Sequence, residues 1–105
     1  MNKEIKDKWV AALESGEYRQ TQRQLKDWQG FCCLGVLCDI HAKEVGTMWV
    51  TENNSASYLQ KHATLPKEVE EWAGIDRKNW RNLTSLNDDR GYSFEKIAEV
   101  IKRTL

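Results

Sequence analysis

The run Phe31–Ile40, FCCLGVLCDI, constrains this chain more than any other segment. Wound as a helix, Phe31, Cys32, Cys33, Leu34, Val36, Leu37, Cys38 and Ile40 leave almost no polar face. A helix that is apolar all round is a central one, packed on several sides. The pattern predicts that helix over Phe31–Glu44, with Gly46 ending the element. Gly35 in its middle costs roughly 1 kcal/mol of helix propensity against Ala. A close approach of another element at that point is therefore expected. A chain of 105 residues has room for one domain around such a helix and little left over.

The flanking segments supply the layers around it. Asn2 caps a first helix over Lys3–Ser15, with Ile5, Trp9, Ala12 and Leu13 on one face and Gly16 as its stop. The segment Glu17–Leu25, EYRQTQRQL, alternates as a polar strand. Tyr18, Gln20, Gln22 and Gln24 then lie on one side, and Arg19, Thr21, Arg23 and Leu25 on the other. Gln and Arg also form helices well, but Gly16 and Asp27–Gly30 punctuate both ends, which favours the strand. Thr47–Thr51 reads as a short strand, ENNS as a turn, and Ser57–Lys61 as the returning partner. Pro66 fits the first position of a helix over Pro66–Ala73, which Gly74 closes. Asp76–Arg90 is polar, with Trp80, Leu83 and Leu86 as its anchors. Ser93 caps a last helix whose stripe is Phe94, Ile97, Ala98, Ile101 and Leu105. The sum is a single α+β domain over residues 1–105, about four helices packed on a short antiparallel sheet.

Charge excludes several functions. The chain has 16 Lys+Arg against 16 Asp+Glu, and residues 1–50 hold seven of each sign. A strong nonspecific nucleic-acid binder needs a basic face that releases counterions, and neither sign dominates here. A local patch survives within a neutral total. No apolar run approaches the ~20 residues of a membrane span. The start, MNKEIKDKWV, has no apolar stretch of the kind an export signal carries, so a cytoplasmic protein is expected.

Cys32, Cys33 and Cys38 are odd in number, and two of them are adjacent. A disulfide framework does not fit that pattern. Cys38 and His41 have a usable helical spacing for a metal, but Cys33 and Cys38, five apart, do not share a face well. Buried core thiols are the reading adopted, with no metal and no cofactor. There is no G-x-S-x-G, no H-E-x-x-H, no P-loop and no G-x-G-x-x-G. Thiols in an apolar run are also poor nucleophiles. No catalytic residues are therefore expected.

Five Trp in so short a chain is heavy use. Trp9 and Trp72 fall on helix core faces. Trp28, Trp49 and Trp80 lie in or beside turns and short strands, where they serve as core caps, stacking platforms or interface anchors. Arg19 and Arg23 suit a phosphate, Trp28 and Trp49 suit stacking, and Asn87 or Asp88 suits a ligand hydroxyl. The competing readings are a solvated polar strand for Tyr18–Gln24 and a backbone-capping turn for Asn87–Asp88.

The whole pattern resembles a known family. Trp9-Val10-Ala11-Ala12-Leu13, Ser15-Gly16-Glu17-Tyr18 and Gln20 open it, and Cys32–Asp39, CCLGVLCD, is its most specific part. Leu65-Pro66, Val69, Trp72-Ala73-Gly74, Leu83 and Leu86-Asn87-Asp88 follow, and Ser93-Phe94, Ile97-Ala98 and Ile101 close it. The chain resembles small uncharacterised proteins encoded by bacteriophages and prophages. It departs from them at Gln20–Gln24, where typical members have a glycine-containing turn, and at His41. The resemblance implies an accessory protein acting in an infected bacterial cytoplasm. By analogy with other such proteins, the expectation is a non-enzymatic, anti-defence binder that sequesters a small nucleotide-derived host immune signal. The alternatives are an inhibitor that docks on a host defence enzyme through an aromatic patch, and an enzyme degrading such a signal. A homo-oligomer is compatible with either.

Overall fold

A computed structural model describes all of residues 1–105. In chain order its elements are α1 (Lys3–Glu14), α2 (Cys33–Val45), β1 (Val50–Glu52), β2 (Ser55–Ser57), α3 (Lys67–Ala73), α4 (Arg77–Asp88) and α5 (Phe94–Thr104). The fold is a small α+β domain of five helices and a two-stranded antiparallel sheet. No helix is long and apolar enough to cross a membrane.

Helix α2 is the central element that the apolar run predicts. Cys33 through Cys38 are all buried, and α1, α3 and α4 pack against the helix. Its start lies two residues later than expected. Phe31 is held in backbone bridges to Gln20 and Lys26, and Cys32 is the N-cap, its sulfur accepting from the Gly35 amide. Gly46 closes the helix in the left-handed conformation, φ +78°. The expected close approach at Gly35 is made by Leu25. A Cβ on Gly35 would overlap the Leu25 carbonyl, which also accepts from the Cys32 amide.

The terminal helices follow their periodicity, except that Val10 takes the buried place expected of Ala12 and Leu105 lies just past α5, half-buried. Asn2 accepts from the Ile5 amide at 3.0 Å, and α1 buries Ile5, Trp9, Val10 and Leu13. Ser93 caps α5, which buries Phe94, Ile97, Ala98 and Ile101 against α1. The Trp9 indole donates to the Cys33 carbonyl at 2.9 Å, tying α1 to the start of α2.

Elsewhere the structure corrects the sequence reading. Glu17–Leu25 is not a strand. It makes one bridge, Gln20 to Phe31, and turns away at Arg23, whose φ is +73°. Its polarity has an internal use: Thr21 is buried and donates to Asp27 at 2.9 Å, and the Gln20 amide reaches Tyr92 O at 2.8 Å. The hairpin is shifted and shorter than expected. Val50 pairs with Ser57 and Glu52 with Ser55, leaving Asn53-Asn54 as the turn. Of the expected strand Ser57–Lys61 only Ser57 belongs to β2, and Tyr58–Lys61 leaves the hairpin in a turn closed by a Tyr58–Lys61 bridge. Pro66 is the N-cap of α3, one position earlier than expected, with an extended ψ of 145°. The polar segment after Asp76 is a fifth helix. Asp76 caps it by accepting from Asn79 N at 2.9 Å, and Trp80, Leu83 and Asn87 turn inward at helical spacing.

Candidate functional site

Helix α4 shows two different faces. The inward face carries Trp80, Leu83 and Asn87. Across the adjoining face run Arg77, Arg81, Thr84 and Ser85, opposite the segment 61–67, which is irregular up to Pro66 and enters α3 at Lys67. Between that segment and α4 lies an open cleft with two lobes of about 340 Å³ and about 300 Å³. Each is at the small end of ligand-site volumes.

Thr64, Arg77 and Trp80 border both lobes. Lys61, Lys67 and Glu70 belong to the first lobe only, while Arg81, Thr84, Ser85 and Asp89 belong to the second. Trp80 is 5% exposed and forms the floor. Its indole donates to Glu70 Oε2 at 2.6 Å, which fixes the ring and occupies that carboxylate oxygen. Thr84 donates to the Trp80 carbonyl at 3.0 Å, and Ser85 reaches Asp89 at 3.5 Å.

Twelve of the chain's sixteen Lys and Arg make no ion pair, and four of the twelve gather at this cleft. Lys61, Lys67, Arg77 and Arg81 make no ion pair, whereas the molecule's ion pairs use Lys3, Lys8, Lys43 and Lys102. Four unpaired cations against two carboxylates make this a local positive field within a neutral chain. Most lining side chains are polar or charged, with Leu65, Ala63 and the Trp80 ring supplying an apolar part, so the cleft suits a charged ligand that also has an apolar portion. No cysteine or histidine lines it.

The residues singled out from the sequence lie elsewhere. Asn87 is fully buried and works at full capacity. Its Oδ1 accepts from Gln20 at 2.9 Å and from Cys33 N at 3.3 Å. Its Nδ2 donates to Thr21 O and to Asp88 Oδ1, both at 2.9 Å. Asp88 also accepts from the Arg23 amide at 2.9 Å. Arg23, Asn87 and Asp88 are thus brought together, but by a backbone amide and two side chains that complete one another. Asn87–Asp88 is the last turn of α4, not a separate turn. Arg19 binds Phe31 N through its backbone carbonyl at 2.8 Å, and its side chain is exposed.

Trp28 and Trp49 take no part in that group. Trp28 is 72% exposed beside the hairpin tip, where its amide donates to Asn54 O at 3.1 Å. Trp49 is half-buried in an aromatic cluster, 5.9 Å from the Phe31 ring and 5.0 Å from Tyr58. Its indole donates to Asp39 at 3.1 Å, and Tyr18 donates to the same carboxylate at 2.6 Å. Burial works against the charge on Asp39. The Tyr18 and Trp49 hydrogen bonds and the Lys43 ammonium outweigh it and hold the carboxyl below its usual range. Next to this cluster, His41 Nδ1 lies 2.6 Å from the Tyr58 hydroxyl. Burial lowers the His41 pKa, against the opposing pull of Glu68 and Glu44.

The three thiols are buried and unbridged. Desolvation pushes Cys32 up to about 12, and Cys33 and Cys38 well above their usual value. Thiols held protonated in this way are poor metal ligands and poor nucleophiles.

Sequence reasoning missed the cleft because it found only a polar segment with three apolar anchors at residues 76–90 and assigned no helix there. A helix there would have put Arg77, Arg81 and Ser85 on one stripe, four residues apart. No sequence signal brings Lys61 and Lys67 to that stripe.

Fold and cleft together define a small α+β domain with one cation-rich surface cleft. The chain belongs to the family described as Domain of unknown function (DUF8296), whose model matches residues 1–84. That match takes in Lys61, Lys67, Arg77 and Arg81. No curated protein and no solved structure matches the chain.

Proposed function

We propose that this protein is a non-enzymatic binder of a small phosphate-bearing, nucleotide-type ligand, held in the cleft between residues 61–67 and α4. The observation that carries this is the set of four cations, Lys61, Lys67, Arg77 and Arg81, unpaired around the rigid Trp80 floor. Guanidinium and ammonium groups are the side chains that hold phosphates, and Thr64, Thr84 and Ser85 add hydroxyls for the rest of a nucleotide. Sequestration is favoured over turnover because one carboxylate is committed to the Trp80 indole and no imidazole or thiol faces the cleft. The setting, an infected bacterial cytoplasm, and the ligand's origin, a host immune signal, come from the resemblance to phage-encoded proteins.

The test is capture and release. The purified protein is incubated with mononucleotides and cyclic dinucleotides, separated from free ligand, and heat-denatured. Intact nucleotide is expected in the released fraction, and Arg77→Ala with Arg81→Ala should reduce capture tenfold or more. Chemically altered nucleotide, or no capture of any nucleotide, overturns the proposal.

A second reading rests on a different observation. Trp28, Met48, Val45 and Val50 are 72%, 83%, 48% and 55% exposed, large apolar side chains of the kind that anchor docking on a host protein. Trp28→Ala abolishing biological activity in a protein that captures no nucleotide would favour it.

A further inference from the structure

We infer that the cleft is built for a ligand with two separated anionic groups, one in each lobe, such as a nucleoside bisphosphate or a dinucleotide. This inference rests on the proposed phosphate-binding role and specifies its ligand. The first lobe has its own cations, Lys61 and Lys67, and the second has Arg81. Arg77 borders both, with Trp80 beneath the junction. A single phosphate engages one lobe and leaves the private cations of the other unused. On α4, successive positions four apart rise ~6 Å along the axis. Arg77 and Arg81, both on the second lobe, therefore sit ~6 Å apart along the axis, and of the two only Arg77 borders the first lobe, where Lys61 and Lys67 stand. The polar contacts are also unequal in kind. The first lobe offers two flexible ammonium groups, which act as point charges. The second offers the Arg81 guanidinium, whose planar fork suits a bidentate phosphate contact, while the Thr84 proton is already given to the Trp80 carbonyl. Glu70 and Asp89, one per lobe, keep each lobe from being uniformly cationic and disfavour a long polyanion lying along the surface.

The experiment is calorimetric titration of the full chain with adenosine 5′-monophosphate, adenosine 3′-monophosphate and adenosine 3′,5′-bisphosphate at one fixed salt concentration. The bisphosphate is expected to bind at least tenfold more tightly than either monophosphate. Lys67→Ala and Arg81→Ala should each lower bisphosphate affinity at least fivefold. Each should leave one of the two monophosphates bound as in the parent, because the other lobe is intact. Both variants change exposed side chains, and unchanged melting temperatures will show that they fold. Equal affinity for mono- and bisphosphate overturns the two-lobe inference and leaves the binding role standing. Absence of binding by all three nucleotides overturns both.

Discussion

The two ends of helix α4 use polar residues in opposite ways. At its C-terminal end, Asn87 has no exposure and all its hydrogen-bonding capacity filled by Gln20, Thr21, Cys33 and Asp88. Along its outer stripe, Arg77 and Arg81 are exposed and paired with nothing. Polar groups of the first kind finish the fold, because a buried donor or acceptor without a partner costs about 1–3 kcal/mol. Polar groups of the second kind add little to stability and remain open to a ligand. Both lie within twelve residues of one helix, so polarity in a sequence does not by itself separate a structural joint from a binding surface. The buried fraction and the partner list do.

Substitutions can break this contrast from either side. The largest effect is expected at Gly35, which lets the 17–31 loop lie against α2. Gly35→Ala drives a methyl into the Leu25 carbonyl. The loss should be about 4 kcal/mol or more, or outright unfolding, measured by urea denaturation. A smaller loss would show that the loop shifts easily and that the joint around Asn87 is not rigid.

Asn87→Ala comes next. It removes four hydrogen bonds and strands the Cys33 amide and the Thr21 carbonyl, while Gln20 keeps its bond to the Tyr92 carbonyl. The expected cost is about 3 kcal/mol, with nucleotide capture by the folded fraction retained. Lost capture at full stability would move Asn87 from joint to site.

Acidification separates a third closed group. His41 binds its proton less readily in the fold than in the unfolded chain, because burial opposes the imidazolium. Its contribution is fully present above its ordinary value of 6.5 and is lost as the pH falls from there towards the depressed folded value. Asp39 acts lower down. Its contribution is present above 3.8 and is lost as the pH falls through the still lower folded value. Melting temperature should therefore decline in two stages, and His41→Gln should abolish the first. A flat profile between pH 7 and 5 would show that the His41–Tyr58 pair is not coupled to folding.

The smallest effect is expected at the exposed arginines of the loop. Arg19→Ala with Arg23→Ala should change stability by no more than about 0.5 kcal/mol and leave nucleotide capture unchanged. Reduced capture would extend the proposed binding surface from the cleft to this loop.

Much of the fold was legible because it is written in local periodicity. The stripes of α1 and α5, the all-round apolarity of α2 and the stop signals at Gly16, Gly46 and Gly74 depend on residues within a few positions of one another. Where burial is polar, that signal fails. Helix α4 turns Asn87 inward among Trp80 and Leu83, so its apolar stripe is short and the segment reads as a polar connection. Gln20 and Thr21 mislead in the other direction, because side chains that fill buried hydrogen bonds look like a solvated strand.

The sequence by itself determined the central helix, the need for a close neighbour at Gly35, the capped terminal helices and the core thiols. Each follows from the side chains that one short segment presents. Tertiary structure alone decided that Leu25 is the neighbour, that Asn87 is a joint, and that Lys61 and Lys67 share a lobe with Arg77, which also borders the lobe of Arg81. The physical reason is range. Helical periodicity acts over a few residues, whereas a field made of separate cations exists only after the chain has folded them around Trp80.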